Sequence, residues 1–475
     1  MKNNYWLTSG FYSLLNQVTM LFFNLGTVFI LWRVLDKPTC SIWVIFLLIT
    51  SFIEVGRTGL LQNGLMTYIG QTPQSEHAKI NTASLFLSLI LSVLFSIFLL
   101  TSGSWIGHFF NKNPETIAQI ASLLSIYAGT TLVLSGLYQF NFIQQANLDF
   151  KGLFWSSFIK NGLLFFYVLY LKLTNNAFNL NHLAICQWVA AIPATFAAYL
   201  FARKYFVLDK KLDWHWVKKL FHYGKYTFGT NMATMTYKNV DRLILSMFLL
   251  DKVSTYDLAI KINTLTEVPT MTLAAILFPK SAQSASETVT ASGGLSLRGT
   301  NCHCERSAAK TEGVNKAKYL YEKSVGVLLA ILLPAVLFVL IFADIIILII
   351  GSEKYMESAP ILRVTIFYGI FMAFAMQFGT ILDSIGKPKL NFYITLLGAI
   401  VNLSFNFIFI KWLGLYGAAY GSLTAMTIMF FIMQIILSRL LDIKAWHTLT
   451  FMMSFYKDIW AKLSVFINKK ALKTV

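Results

Sequence analysis

The sequence has little charge, few cysteines and few acidic residues. Only 13% of its 475 residues are charged, whereas 56% are apolar and the mean hydropathy is +0.61. Soluble proteins carry roughly twice that share of charge, so most soluble enzyme classes are excluded. Four scattered cysteines are too few for a disulfide framework. The composition therefore predicts an all-α fold, that of a polytopic membrane protein.

Long apolar runs predict about 12 transmembrane helices, because a spanning helix needs about 20 mostly apolar residues. The seventh run, 220–249, and the eighth, 253–279, are interrupted by polar residues. Of the 39 Lys and Arg, 25 lie on the side that carries the N-terminus, and 7 lie on the other side. Positive charge accumulates on the cytoplasmic side. Both termini are therefore predicted to be cytoplasmic.

An internal repeat divides the chain. The first and seventh runs share seven residues at one fixed offset of 215, and a Leu-Asp-Lys motif follows each run, at 35–37 and 250–252. The repeat predicts two pseudo-symmetric six-helix bundles in parallel orientation around a central cavity. The predicted domains are 1–205 and 220–440, with a basic cytoplasmic connector at 206–219.

Two segments lie outside the repeat. Residues 284–312 form a polar, Gly/Ser/Thr-rich insertion that is predicted to be disordered and without function. Its Cys302-His303-Cys304 motif has the wrong spacing for zinc, so no metal is expected. Residues 441–475 are predicted to be a cytoplasmic amphipathic tail, because apolar residues recur at helical spacing. That tail helix lies either on the membrane surface or against the bundle.

Charged residues inside the predicted spans are the candidate functional residues. A basic residue at mid-membrane costs about 2.5–3.5 kcal/mol, so each must face a wet cavity, a partner charge or the interface. The basic ones are Arg57, Lys160, Lys225, Lys238, Arg242, Lys261 and Arg363. The clear acidic ones are Glu54, Asp241, Asp257 and Glu267.

Spacing predicts some of their partners. Glu54 and Arg57 are three residues apart and can form an ion pair. Asp257 is expected to be a surface group near the outer end of its helix. Lys160 stands alone in its run, and either snorkels to the interface or faces the cavity.

The seventh run carries a continuous polar stripe, which the first run repeats in uncharged form. Two equivalent polar faces predict that both helices line the central cavity, and helix–helix hydrogen bonding is the alternative. In the seventh run the stripe consists of Thr227, Asn231, Thr234, Lys238, Asp241 and Arg242. In the first run it includes Gln17 and Asn24.

Motifs of soluble chemistry do not occur. No phosphate-binding Gly-rich loop with Lys-Ser/Thr is present, and the seven histidines form no pair at metal spacing. The chain is therefore predicted not to be an enzyme, with no cofactor and no nucleic-acid partner.

The text Asn239-Val240-Asp241-Arg242-Leu243-Ile244-Leu245-Ser246, followed by Leu250-Asp251-Lys252 and Tyr256, resembles that of oligosaccharide-lipid flippases. These are the polysaccharide-biosynthesis (O-antigen and capsule repeat-unit) members of the multidrug/oligosaccharidyl-lipid/polysaccharide exporter superfamily. The resemblance implies translocation of undecaprenyl-diphosphate-linked sugar repeat units from the inner to the outer leaflet of the bacterial cytoplasmic membrane. It also implies contact with membrane lipids and with a polysaccharide polymerase and glycosyltransferases as partners.

The cationic excess inside the spans suits that substrate, because a diphosphate needs fixed cations to leave water. The predicted substrate cavity contains Arg57, Lys238, Arg242, Lys261, Asn231, Asn24 and Gln17. The competing interpretation of Arg242 is that it only pairs with a carboxylate on a neighbouring helix. Glu54, Asp241 and Glu267 are candidates for ion coupling, or else neutralise neighbouring bases. Two alternative functions remain open: an ion-coupled drug/cation antiporter of the same superfamily, and a membrane-embedded glycosyl-transfer or ligase enzyme.

Overall fold

The computed structural model describes residues 2–147, 149–270, 302–384 and 387–471. Those residues form α-helices joined by short turns, and no strand occurs among them. The chain divides into two compact units: Met1–Asp257 with Leu348–Lys354, and Leu258–Ile347 with Tyr355–Val475. The predicted all-α fold class is confirmed.

Seven long helices lie in the first unit, and an eighth begins there. They are α1 (Lys2–Val34), α2 (Lys37–Gln71), α3 (Gln74–Phe110), α4 (Pro114–Ala146), α5 (Phe150–Leu173), α6 (Leu180–Ala202), α7 (Trp214–Phe248) and α8 (Val253–Asn263). Later helices are α9 (Cys302–Gly351), α10 (Ser358–Thr365), α11 (Tyr368–Ser384), α12 (Pro388–Leu413), α13 (Leu415–Leu441) and α14 (Ala445–Ala471).

Local sequence explains where these helices begin and end. The Asp36 side chain accepts a hydrogen bond from the Thr39 N–H and so caps α2, whose first turn contains a proline. Asn113 caps α4 and Asp213 caps α7 in the same way. Both copies of the Leu-Asp-Lys motif follow a helix end, at Val34 and Phe248, as the repeat predicted.

Ten helices among the described residues are long and apolar enough to cross a membrane. The two predicted spans outside that set are the seventh and the eighth. α7 has 35 residues, but its polar stripe lowers its hydropathy. The eighth run continues past residue 270, beyond the described part of the chain.

Glycines bring α2 and α7 into close contact within the first unit. A Cβ on Gly224 would collide with the backbone carbonyl of Leu60, and a Cβ on Gly59 would lie 3.1 Å from the Phe228 Cα. The Thr227 hydroxyl donates to the Gly59 carbonyl at 2.6 Å. Small residues permit such close approach of helices in membranes. The sequence-based repeat assigns α7 to the second six-helix half, and that division remains a prediction.

The insertion and the tail can be compared with their predictions only in part. Residues 302–312 form the first turns of α9, where a segment without fixed structure was expected, and 284–301 lie outside the described residues. The beginning of α14 packs on α9, because a Cβ on Gly326 would lie 2.7 Å from the Thr448 carbonyl oxygen. The Tyr456 hydroxyl donates to the Ala330 carbonyl at 2.6 Å. These contacts favour the bundle-packed alternative for 445–456.

Candidate functional site

The first unit contains two clusters of charged and phenolic side chains. We call the first the α2 cluster: it consists of Glu54, Arg57, Tyr127, Tyr138 and Lys160. We call the second the α7 cluster: it consists of Asp241, Arg242, Tyr256 and Asp257. Each cluster combines carboxylate, phenol and base, and the two differ in exposure.

The Glu54 carboxylate is the centre of the α2 cluster. Its Oε1 accepts a hydrogen bond from the Tyr127 hydroxyl at 2.7 Å, and its Oε2 accepts one from the Tyr138 hydroxyl at 2.6 Å. The Lys160 Nζ lies 3.6 Å from Oε1, which is long for a hydrogen bond. The Glu54 and Lys160 side chains are 29% and 26% exposed, so this pair is open on one side.

Arg57 lies one helical turn from Glu54 and is 1% exposed. Its Nη2 donates to the Thr131 carbonyl at 3.1 Å. Its guanidinium carbon lies 5.6 Å from the centre of the Tyr138 ring, and the Lys160 Nζ lies at the same distance. The Arg57 Nε and Nη1 are buried without a hydrogen-bond partner among the described residues. Arg57 therefore has donors available for an anion.

The ion pair that the spacing of Glu54 and Arg57 allows does not occur among the described residues. Among the described residues, the ion-pair partner of Glu54 is Lys160 on α5, while Arg57 donates to the α4 backbone. Helical spacing shows which residues share a face, but not which neighbouring helix supplies a closer partner.

The α7 cluster is sealed. The Arg242 Nη1 donates to the Asp257 Oδ1 at 2.7 Å, and the two side chains are 14% and 1% exposed. The Tyr256 hydroxyl donates to the Asp241 Oδ2 at 2.6 Å. The backbone N–H of Arg242 donates to the Asp241 Oδ1 at 2.8 Å. The pairs join α7 to the beginning of α8.

Two sequence predictions are affected by this geometry. The expectation that Asp257 is a surface group is wrong, because α8 turns it inward onto Arg242. The competing interpretation of Arg242, a pair with a carboxylate on a neighbouring helix, describes the contact that the structure contains. A role for Arg242 in substrate binding remains a prediction.

The other predicted site residues are spread over several helices. On α1, Gln17 and Asn24 are exposed. On α7, Lys238 and Asn231 are half-buried, and the Asn231 side chain lies against Gly59. Lys261 and Glu267 belong to the second unit, where both are half-buried.

Sequence reasoning did not single out Tyr127 and Tyr138. The two tyrosines are eleven residues apart on α4, which places them on the same face after three turns. Such spacing is common in buried helices and says nothing about a carboxylate on another helix. Lys160 was recognised as a candidate, without its partner.

The sequence is similar to known protein families. Residues 30–292 match the family model described as polysaccharide biosynthesis protein, which is more than half of the chain. The chain belongs to the polysaccharide biosynthesis protein family. Residues 312–408 match a second family model, MatE. An uncharacterized membrane protein of Methanocaldococcus jannaschii, MJ1068, is 27% identical over 244 residues, which are 51% of this chain and 43% of that protein. The chain thus matches less than half the length of that relative.

Solved structures similar to this family member share its fold. The lipid II flippase MurJ in an inward closed conformation aligns with a TM-score of 0.72 at 13% identity, over 94% of this chain and 90% of that chain. An inward-facing multidrug resistance MATE family transporter of the MOP superfamily aligns with a TM-score of 0.68 at 15% identity, over 89% and 95%. A MOP superfamily transporter from Pyrococcus furiosus, whose binding pocket is described as reversed in polarity, aligns with a TM-score of 0.60 at 15% identity, over 90% and 94%. The polysaccharide biosynthesis protein described here is therefore a multi-pass membrane protein with the fold of this superfamily.

Proposed function

We propose that this protein flips undecaprenyl-diphosphate-linked sugar repeat units from the inner to the outer leaflet by alternating access. Its family is named for polysaccharide biosynthesis, and one relative in fold is a lipid II flippase. The observation that carries the proposal is Arg57, a buried guanidinium with two unpartnered nitrogen atoms beside the open Glu54–Lys160 pair.

A diphosphate would supply the hydrogen-bond acceptors that the Arg57 Nε and Nη1 lack. A buried donor without a partner costs about 1–3 kcal/mol, and phosphate oxygens accept the forked donors of an arginine well. Lys160 adds a second positive charge, 5.6 Å from the centre of the Tyr138 ring. The polyprenyl tail can stay in the bilayer while the head group crosses.

The location and partners belong to the same proposal. The excess of Lys and Arg on the N-terminal side supports a cytoplasmic-membrane protein with both termini inside. The polymerase and the glycosyltransferases that build the repeat unit are the proposed partners. Lys238, Arg242, Lys261, Asn231, Asn24 and Gln17 remain proposed members of the substrate cavity.

Substitution of Arg57 tests the function. Membranes that contain Arg57→Gln should lose at least about tenfold of their flipping rate for a diphosphate-linked oligosaccharide, because the forked donor is lost. Arg57→Lys, which keeps the charge, should retain part of the rate. Arg203→Gln is the matched control, since that exposed arginine follows α6. Normal flipping by an abundant Arg57→Gln protein contradicts the proposal.

A cation/drug antiporter is the second candidate function. The MatE match over 312–408 and the partly exposed Glu54 carboxylate favour it. Efflux of a cationic dye from cells that contain the wild-type protein, lost in Glu54→Gln and kept in Arg57→Gln, would support this candidate over the flippase.

A further inference from the structure

Two cations from neighbouring helices of the first unit meet at one aromatic ring. The Arg33 guanidinium carbon lies 4.4 Å from the centre of the Phe29 ring, and the Lys172 Nζ lies 5.7 Å from it. Cation–π attraction acts at both distances, because it extends to about 6 Å. Arg33 and Phe29 belong to the last two turns of α1, and Lys172 belongs to the last turn of α5. The ring therefore keeps the two positive charges close together.

The helices α1 and α5 run in the same direction, so their basic residues lie at the same end. The Tyr12 and Phe154 ring centres are 6.0 Å apart, and those of Phe22 and Phe165 are 5.7 Å apart. These ring pairs follow in the same order along both helices. The excess of Lys and Arg on the N-terminal side of the sequence predicts that the end with Arg33 is the outer one.

Neither cation has a carboxylate partner among the described residues. The Arg33 Nη2 donates to the backbone carbonyl of Ile349, which carries no net charge. The acidic residue nearest to Arg33 in the sequence, Asp36, caps α2 through the Thr39 N–H. Two positive charges at one ring repel each other, and an anion that binds both removes this repulsion. The arrangement is therefore suited to an anionic ligand.

The surroundings indicate where that anion comes from. The apolar side chains Phe22 and Phe166, about two turns further from the helix ends, are exposed. Tyr170, close to Lys172 on α5, is exposed as well. An apolar surface that ends in tyrosine and basic residues is typical of helices at the depth of the lipid head groups. The phosphate groups of lipids are the anions available at this depth.

We propose that Arg33 and Lys172 bind the phosphate group of a lipid in the outer leaflet, and that Phe29 positions the two cations. Arg33 offers a planar fork of donors to the phosphate oxygens, and Lys172 adds a point charge. The hydrocarbon chain of the lipid stays on the exposed apolar surface of α1 and α5. The inference goes beyond the proposed function and does not depend on it, because an ordinary phospholipid supplies the same oxygens.

Two kinds of lipid present this chemistry at the outer leaflet. One is an anionic phospholipid, which would stay bound as a lipid of the folded protein. The other is a polyprenyl diphosphate that has crossed the membrane, for which the site would receive the head group before its release. Both sources use the same two side chains, and the experiment separates them by the probe that is lost.

Lipid binding to the purified full-length protein, measured by native mass spectrometry, tests the inference. The probes are phosphatidylglycerol, an anionic phospholipid, and geranylgeranyl diphosphate, a short polyprenyl diphosphate. Arg33→Gln/Lys172→Gln should bind the first molecule of at least one probe about tenfold more weakly than the wild type, because charge-assisted hydrogen bonds are lost. Lys172→Gln alone, which leaves the Arg33 contact with Ile349 in place, should show part of that loss. Phe29→Leu keeps both charges and should weaken binding about two- to fivefold.

The matched control is Lys112→Gln/Lys411→Gln, which removes the same charge from the predicted outer side, near the ends of α3 and α12. It should bind both probes as the wild type does. A loss for phosphatidylglycerol alone assigns the site to phospholipid, a loss for geranylgeranyl diphosphate alone assigns it to the translocated lipid, and a loss for both means that they share it.

The site is wrong if the double variant and Lys172→Gln bind both probes as tightly as the wild type. It is also wrong if the control variant loses as much affinity, because binding then follows net charge and not the pair at Phe29. Each of these outcomes leaves the proposed function to be decided separately by the flipping rates of the Arg57 variants.

Discussion

The α2 cluster and the α7 cluster contain the same kinds of groups, but the ion pair of the α2 cluster is more exposed. In the α7 cluster, Arg242 and Asp257 touch at 2.7 Å and Asp257 is 1% exposed. In the α2 cluster, Lys160 and Glu54 are 3.6 Å apart and each is more than a quarter exposed. A sealed pair with a short contact suits permanent attachment of two helices. An open pair with a long contact suits exchange of one partner for an anion.

The energetic consequences differ for the same reason. Removal of one partner from a buried pair leaves an uncompensated charge out of water, which costs about 3–5 kcal/mol. Removal of one partner from a less buried pair costs less, because the charge left behind is not fully enclosed. The comparison can therefore be tested through stability as well as through transport.

The largest effect is expected in the α7 cluster. Asp257→Asn should lower the free energy of unfolding by about 3–5 kcal/mol, because Arg242 is left buried and unpaired. Folded protein in membranes and thermal unfolding in detergent measure the loss. Glu54→Gln, its counterpart in the open cluster, should change both measurements much less.

Arg242→Gln distinguishes the two interpretations of this arginine. If it only pairs with Asp257, the variant loses abundance as Asp257→Asn does. If the protein stays abundant and loses transport instead, Arg242 binds substrate, as the polar stripe on α7 predicted. That second result would break the contrast between the two clusters.

A smaller effect is expected where the helices that carry the two clusters meet. Gly224→Ala should destabilise the protein by about 1–3 kcal/mol, because its Cβ meets the Leu60 backbone and α2 and α7 must move apart. Gly70→Ala on the same α2 helix is the matched control, since nothing lies within 4 Å of its Cβ. Thermal unfolding of both variants gives the difference. Equal melting temperatures would show that α2 and α7 accommodate the methyl group.

Much of the fold could be predicted from sequence, because apolar run length and the repeated motif at helix ends are local signals. The Leu-Asp-Lys motifs mark helix ends, as the repeat predicted. Single basic residues in apolar runs also identified Arg57 and Lys160 as candidates. These signals can be read from one segment of the sequence, whichever helix packs against it.

Pairing within the site could not be predicted, because it depends on the rotation of each helix about its axis. Glu54 and Lys160 are on helices separated by more than a hundred residues, and a rotation of one residue turns a side chain by about 100°. Asp257 is fifteen residues from Arg242 across a turn whose geometry brings them together. One turn of 3₁₀ helix, Leu250–Lys252, lies between α7 and α8 and sets the rotation of α8 relative to α7.

The smallest effect is expected for an ion pair in the second unit that is more exposed than either cluster. The Lys318 Nζ donates to the Asp442 Oδ2 at 2.9 Å, and the Asp442 side chain is 75% exposed. The hydrogen bond from Lys318 lowers the pKa of Asp442 below its ordinary value of 3.8. A carboxylate with a lowered pKa stabilises the folded state above its unfolded pKa, and that contribution disappears as the pH falls through the folded pKa. At neutral pH, Asp442→Asn should leave the melting temperature nearly unchanged, because solvent screens the pair. A drop as large as that of Asp257→Asn would mean that exposure does not rank these ion pairs, and the contrast between the open and the sealed cluster would lose its physical basis.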